Sequence, residues 1–510
     1  MNINQLLSTN ELSPPLDYAE AQVWARRIGR WAGSEIYPRS MVFNHNALFC
    51  LGSGENGKQL LILSAQAPIA NDFAGEERPV SDGLTLKLCP TSSANVQALH
   101  RALPFTKPRR LGLATSAGCG DRLGLATPGH IQAARGTGIA PILAQQSMRE
   151  NDRTHRTPQE VIDDATWGVF QEGWREGYGA DADHLKTPDD INTCVAAGYT
   201  FFTIDPGDYV NNETHTAPPG RLRKIVAALP WEALETTHDN LCQSYLDQAF
   251  EIADGFAISF SEETMDRAAG KYGQAIAHTA MMYRHLAGLT ENFELEMSVD
   301  ETETVTSIEE HFFIVSELKR LGVQWVSLAP RYVGRFEKGV DYIGDLDEFE
   351  VSFVQHAAIA RRAGPYKLSL HSGSDKFSIY PIAARQTDGL VHLKTAGTSY
   401  LEALRAIADL NPTLFRNILA LSIERYPVER ATYHVSADLD RVPTPDSLSD
   451  AELSGLIDQF DARQVLHVCY GSALDLYGPE LIETLTENEE AYDTVLKAHF
   501  DRHLQPFARS

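Results

Sequence analysis

From Arg110 onward the chain repeats a pattern that few folds can satisfy: a brief apolar run, a helix opened by a capping signal, then another brief apolar run. Residues 180–186 read as a strand end. Thr187-Pro188-Asp189-Asp190 then supplies an N-cap, a proline at the first helical position and acids in the first turn. That helix is expected to stop at Gly198, with the next strand over residues 199–204. Residues 293–299 are again strand-like, Ser307 with Glu310 forms a capping box, and the helix should run to Gly322 before a strand at 323–328. Segments 366–370 and 389–394 continue the series, and Ser399 with Glu402 predicts one more capped helix. Such alternation requires a parallel sheet covered by helices. Periodicity alone leaves a closed barrel and an open doubly wound sheet equally available.

Length favours the barrel. The 510 residues exceed what one core can organise, so a barrel of about 250 residues or more plus an accessory region is expected. Residues 1–108 differ from the rest: short apolar segments at 47–51, 59–64 and 84–89 alternate with Gly, Pro and Asn turns. We therefore expect a TIM-like (β/α)8 barrel over residues 109–510, preceded by a small β-rich N-terminal domain, with the proline- and lysine/arginine-bearing segment 104–110 as linker.

Composition bounds the partners. A formal charge of −25 opposes nucleic acid and anionic membrane surfaces at long range, so the expected partner is a small molecule. An anionic substrate would need a local basic pocket or a metal. The six cysteines form no CxxC pair, the start through Pro14 lacks a basic region followed by an apolar stretch, and no run approaches the roughly 18 apolar residues of a membrane span. These features predict reduced thiols and a cytoplasmic protein, and leave a homo-oligomer open.

In either architecture, reactive groups belong at strand carboxyl ends. Four stretches place acids or histidines there: Asp181-Ala182-Asp183-His184, Asp205-Pro206-Gly207-Asp208, the acidic run 294–303, and Leu370-His371-Ser372-Gly373-Ser374-Asp375. A catalytic metal needs imidazole and carboxylate ligands from several strands with one position open, and His184 and His371 suit that need. His130, which follows a strand-like run, is held in reserve. Asp183, beside His184, could serve as base once regular alternation breaks at the strand end, or could instead cap the next helix. Alternation puts Glu294, Glu296, Ser298 and Asp300 on one face, which would be costly inside a barrel without a cation. Thr395-Ala396-Gly397-Thr398-Ser399 could cradle an anion or act as an ordinary loop and cap. Gly52-Ser53-Gly54-Glu55-Asn56-Gly57 matches the dinucleotide fingerprint, yet the strand-like residues behind it make it a hairpin turn.

The strings Ser298-Val299-Asp300-Glu301-Thr302-Glu303-Thr304, Val333-Gly334-Arg335-Phe336-Glu337-Lys338-Gly339-Val340-Asp341-Tyr342-Ile343-Gly344-Asp345 and Leu370-His371-Ser372-Gly373-Ser374-Asp375-Lys376 resemble the tagaturonate epimerase family over most of the chain. That resemblance implies a divalent-metal-dependent epimerase that interconverts tagaturonate and fructuronate, with zinc, manganese, iron, nickel or cobalt as the candidate cation. The Asp183-His184 pair and the segment from Leu370 are also similar to the class II metal-dependent ketose-bisphosphate aldolases, in which an Asp-His pair supplies base and ligand. No histidine follows the expected strand near 326–329, so Glu337 or Glu301 is expected to replace the remaining aldolase ligand. The resemblance implies Asp183 as base, Glu296 as opposing acid, and His184, Glu337 and His371 as metal ligands. Lys186, Asp205, Arg335 and Lys376 are the expected substrate-binding residues. An aldolase acting on a keto sugar acid, a nicotinamide-assisted epimerase and a non-catalytic sugar-acid binding protein are the alternatives.

Overall fold

The computed structural model describes Leu7 and residues 10–55 and 57–508. Most of the start expected to carry no leader, and Asn56 of the glycine-rich turn, therefore lie outside the described residues.

Strands β1 (Glu35–Ile36), β2 (Val42–Asn44), β3 (Ala47–Gly54), β4 (Gly57–Ser64), β5 (Glu76–Pro79) and β6 (Thr85–Pro90) form an antiparallel sheet in the order β1-β3-β4-β6-β5, with β2 also paired to β3. Gly54 pairs with Gly57, so the glycine-rich string is the β3–β4 turn and a strand follows it, as expected. Side chains alternate between two buried faces. Leu48, Cys50, Leu61 and Leu63 pack with Trp24 and Ile28 of helix Tyr18–Ala32. Phe49, Leu51, Leu60 and Ile62 pack with Val96 and Leu99 of helix Ser93–Ala102, and with Trp167 and Phe170 of helix Pro158–Gln171. Burial of both faces explains why β3 and β4 read as continuous apolar runs.

The barrel comprises β7 (Ser116–Cys119), β8 (Ala140–Ser147), β9 (Gly179–Leu185), β10 (Phe201–Ile204), β13 (Glu294–Ser298), β14 (Ser327–Ala329), β15 (Lys367–Leu370) and β16 (Val391–Thr395). All eight strands are parallel and close in sequence order. The excursion between β10 and β13 carries the hairpin β11 (Ala249–Ala253) and β12 (Phe256–Ser259), then the crossover helix Glu262–Leu289. Capping chemistry set several junctions. Thr187 caps helix Pro188–Ala197 reciprocally with Asp190, Gly198 ends it at φ 97°, and Ser307 with Glu310 opens helix Ile308–Arg320. The Ser399–Glu402 cap does not form. Gly397 is the N-cap at φ 83°, the Ser399 hydroxyl donates to Gly120 O, and Glu402 is taken by Arg405 and Arg463. The Thr395 hydroxyl likewise donates to Gly118 O, so these hydroxyls are spent on the barrel rather than on an anion.

After β16 the chain builds a helical cluster that ends in helix Glu489–Leu504. Asp375, in the loop after β15, ties this cluster to the barrel. Its carboxylate meets Arg463 at 2.9 Å and His499 at 2.7 Å, while its N–H donates to His503 Nε2 at 2.9 Å. No helix among the described residues is long and apolar enough to cross a membrane.

Phe170, fully buried where the N-terminal sheet meets the barrel, gives a direct test of that contact. Phe170→Ala should cost about 3–5 kcal/mol, with faster amide hydrogen exchange in β3 and β4 than in β13 to β16; unchanged exchange in β3 and β4 would mean that the contact does not hold the sheet.

Candidate active site

At the carboxyl end of the barrel the interior is ionic. Lys394 of β16 is buried and donates to Asp183 Oδ1 at 2.6 Å, with Asp181 Oδ2 at 2.9 Å and Glu296 Oε1 at 3.0 Å. Its ammonium also donates to Thr203 Oγ1, which in turn donates to Asp181 Oδ1 at 2.9 Å. The three carboxylates come from β9 and β13, which flank β10, so one lysine from across the barrel neutralises acids of two strands. Here is the cation that the acidic face of residues 294–300 required, supplied by a strand far away in sequence.

Strand β9 brings two adjacent side chains to one site. Asp181 and Asp183 point inward by alternation, which would turn His184 away. His184 instead takes φ 53°, a left-handed conformation uncommon outside glycine, and reaches the cavity beside Asp183, with Nε2 3.7 Å from Asp183 Oδ1. The pairing of β9 with β10 shifts register between Ala182 and Leu185, which marks the break in alternation.

His371, just past β15, stands opposite, its ring centroid 5.1 Å from that of His184. Its Nε2 donates to Glu296 Oε1 at 2.6 Å, and its Nδ1 lies 3.1 Å from Asp300 Oδ1. His184 Nδ1 is buried, lies 3.4 Å from Asp205 Oδ2 and has no hydrogen-bond partner. Ligand atoms of His184, Asp300 and His371 all fall within 4.8 Å of one another.

The electrostatics follow from this crowding of acids. Burial raises Asp183, but Lys394 and the two histidines outweigh it and hold the carboxyl well below its ordinary range; Glu296 is held down by Lys394 and His371 against the same penalty. Asp181 is pushed up to about 6 by burial, with Asp183 and Glu296 adding to it against Lys394. Burial works against charge on the histidines, yet Asp183 and Asp205 lift His184 to about 10, and Asp300 and Glu296 lift His371 to about 8. Both rings thus act as the missing cations of an acid-rich pocket. A divalent ion would supply the same two charges by displacing one proton from each imidazolium and leaving neutral imidazoles as ligands, so the donor set fits such a cation.

A second triad, Asp375, His499 and His503, is as tightly grouped but does not fit. His503 uses both ring nitrogens on the backbone of Asp375 and His499. His499 is fixed between Asp375 and Glu402, at 2.7 and 3.2 Å. With every ring nitrogen engaged, that triad is a clamp.

Of the other expected residues, Glu296 touches His371, while the following sit apart from the His184–Asp300–His371 group. The Glu337 carboxylate accepts from Ser436 at 2.6 Å and Gln464 at 3.0 Å, fastening the loop after β14 to the C-terminal helices. Glu301 lies 3.9 Å from Lys338. Lys376 is buried and donates to the carbonyls of Glu337, Val340 and Ser374, so its charge is absorbed by backbone. Arg335 is largely exposed, and Lys186 pairs with Asp208 at the rim, 4.0 Å from Asp205. Glu296 accepts from His371, so it orients that ring and is held ionised. His130 is buried on helix Thr127–Ala134 against Ser399.

Sequence reasoning missed Lys394, the role of Asp300, and the cavity wall formed by Gln145, Arg149, Lys338 and His467. Lys394 ends an apolar strand just as His371 follows one, so a search for strand-end residues of either sign would have found it. The cavity opens at the barrel mouth, with about 570 Å³ of space between its walls once the open mouth is counted. Several of its buried polar atoms lack partners: both ends of the Gln145 amide, Ser374 Oγ and His467 Nδ1. A polyhydroxylated molecule would satisfy them.

A closed parallel barrel with acids, imidazoles and a lysine converging at its carboxyl mouth defines a barrel enzyme. Residues 37–507 match the family model described as tagaturonate epimerase. A tagaturonate/fructuronate epimerase from Thermotoga maritima is 44% identical over 486 residues, 95% of this chain and 98% of that protein. The fructuronate-tagaturonate epimerase of Cohnella laeviribosi, solved in native form and with one glycerol, superposes with a TM-score of 0.88 at 38% identity over 96% of this chain and 99% of that one. The chain belongs to the tagaturonate epimerase family, and is an epimerase of the isomerase class.

The raised histidines set a pH signature for metal-free protein. Each contributes stability that is complete below the ordinary imidazole value of 6.5 and is lost as pH rises through about 8 for His371 and about 10 for His184. Melting temperature should therefore fall across that window when the protein is stripped of divalent ions and fall less when they are restored. Parallel profiles with and without metal would contradict the assignment of these rings as ligands.

Proposed function

We propose that this epimerase interconverts D-tagaturonate and D-fructuronate by inverting C4, with a divalent cation held by His184, His371 and Asp300. The observation that carries the reading is the convergence of two imidazoles and a carboxylate within 4.8 Å, beside Asp183, at the barrel mouth. Bound there, the cation supplies Lewis-acid stabilisation of negative charge on the ketone side of the substrate.

The chemistry needs more than enolisation, because the keto group acidifies the hydrogen on C3 and not the one on C4. Asp183, kept ionised by Lys394, takes the proton of the C4 hydroxyl. The O–H electrons form the C4 carbonyl, the C3–C4 bond breaks, and its electron pair passes into an enediolate spanning C2 and C3. Turning the aldehyde fragment and reversing these steps returns the proton from Asp183 and leaves C4 inverted. Glu296 holds His371 by its Nε2 proton, leaving Nδ1 to face Asp300. Asp205, 3.4 Å from His184 Nδ1, extends the acidic wall on that side. Lys394 keeps Asp181, Asp183 and Glu296 from repelling one another apart.

Incubating stripped and reconstituted protein with each hexuronate, followed by chromatographic identification of products, tests the reading. Chelation should abolish conversion and added metal restore it. Asp183→Asn should keep its metal but lose turnover by about 10²–10⁴-fold. Full conversion by metal-free protein would overturn the proposal, and free three-carbon fragments as the end products would make the chain an aldolase.

A further inference from the structure

A hexuronate carries its carboxylate at the end remote from the ketone, and none of the cations expected to receive it is free in the cavity. Four others line the cavity: Arg122, Arg149, Lys338 and Lys394. Lys394 is consumed by three carboxylates, and Arg122 is held by Glu150 through Nε at 3.0 Å and Nη2 at 2.8 Å. Arg149 differs. Among the described residues its side chain makes no hydrogen bond and no ion pair; its guanidinium rests over the Tyr433 ring, 5.1 Å from the centroid. The neighbouring acid cannot serve it, because Glu150 is spent on Arg122 and on the cap with Ser147. Lys338, on the same cavity wall, donates to the Ser372 hydroxyl at 2.7 Å and stands 3.9 Å from Glu301.

In a protein of net charge −25, a cavity cation that Glu301 and Glu150 attract only from beyond ion-pair distance has a local reason. Arginine presents a planar fork matched to a carboxylate, and the Tyr433 ring restrains its plane at little cost. The buried Gln145 amide, unpaired at both ends, lines the same cavity and would meet hydroxyls next to the anion. We infer that Arg149, with Lys338 beside it, is the seat of the substrate carboxylate and determines selection of sugar acids over neutral sugars. The inference rests on the hexuronate substrate proposed above and is independent of how C4 is inverted. Such a seat also answers the problem of the turning fragment: after C3–C4 cleavage the aldehyde piece retains the carboxylate, and an anchor there lets C4 rotate without escape.

The test compares two small probes, glycerate and glycerol, which differ only in a carboxylate replaced by a hydroxymethyl group. Calorimetric titration of the metal-loaded full chain should show glycerate binding weakened about tenfold or more in Arg149→Met, partly recovered in Arg149→Lys, with glycerol binding unchanged. For hexuronate the KM should rise by a similar factor while kcat falls much less and metal content stays constant. Lys338→Met should shift KM in the same direction, which keeps the idea falsifiable should the Arg149 variants fold poorly. Glycerate affinity and KM unchanged in both Met variants would overturn it. If wild-type protein converts neither hexuronate, the functional reading fails, while the glycerate comparison still decides whether the anion seat exists.

Discussion

The charge balance around Lys394 is the constraint on which the rest of the site depends. Three carboxylates inside a barrel would each lose several kcal/mol of hydration, and one ammonium within 3.0 Å of all three makes their presence tolerable. Because these acids converge from β9 and β13 on a lysine from β16, the interaction also fixes the relative heights of the strands where Asp183, His184 and Asp300 must meet. One deep cation thus leaves the outer rim of acids free for the histidines.

Lys367 of β15, lower in the same interior, repeats the arrangement in milder form. It donates to Ser116 at 2.9 Å, and burial pushes it down to about 8 against the pull of Glu294, Glu296 and Asp181. The barrel interior is therefore layered by charge. Glu294 binds the backbone of Leu111 and Gly112 at the base, Lys367 follows, then Lys394 with its acids, and the His184–Asp300–His371 group faces the mouth.

Much of this was legible in the sequence because it is local. Capping boxes at Thr187 and Ser307, the Gly198 stop and the inward stripe Glu294-Glu296-Ser298-Asp300 follow from the spacing of a few neighbours. His184 and His371 were visible as strand-end residues. What escaped depends on partners distant in the chain. Glu337 fits a ligand by type, yet Ser436 and Gln464, nearly a hundred residues or more away, take its carboxylate. Lys376 fits an anion binder until three carbonyls surround it. The left-handed backbone at His184 lets neighbouring residues share one site and breaks the alternation that sequence reasoning relies on. Ser399 and Glu402 had a capping pattern, but Gly397 ended the preceding loop first and tertiary partners claimed both side chains.

The clamp at Asp375 carries a consequence for the site. Asp375 follows His371 by four residues, and its carboxylate and N–H are gripped by Arg463, His499 and His503 of the closing helices. The loop that carries one imidazole is thereby anchored to the tail of the chain, and the Glu337 link to Ser436 and Gln464 anchors the next loop to the same helices. Affinity for the proposed cation would then be a property of how the tail docks. Damage to helix Glu489–Leu504, remote from the cavity in sequence, would register first as a slackened hold on His371, before the barrel itself gave way.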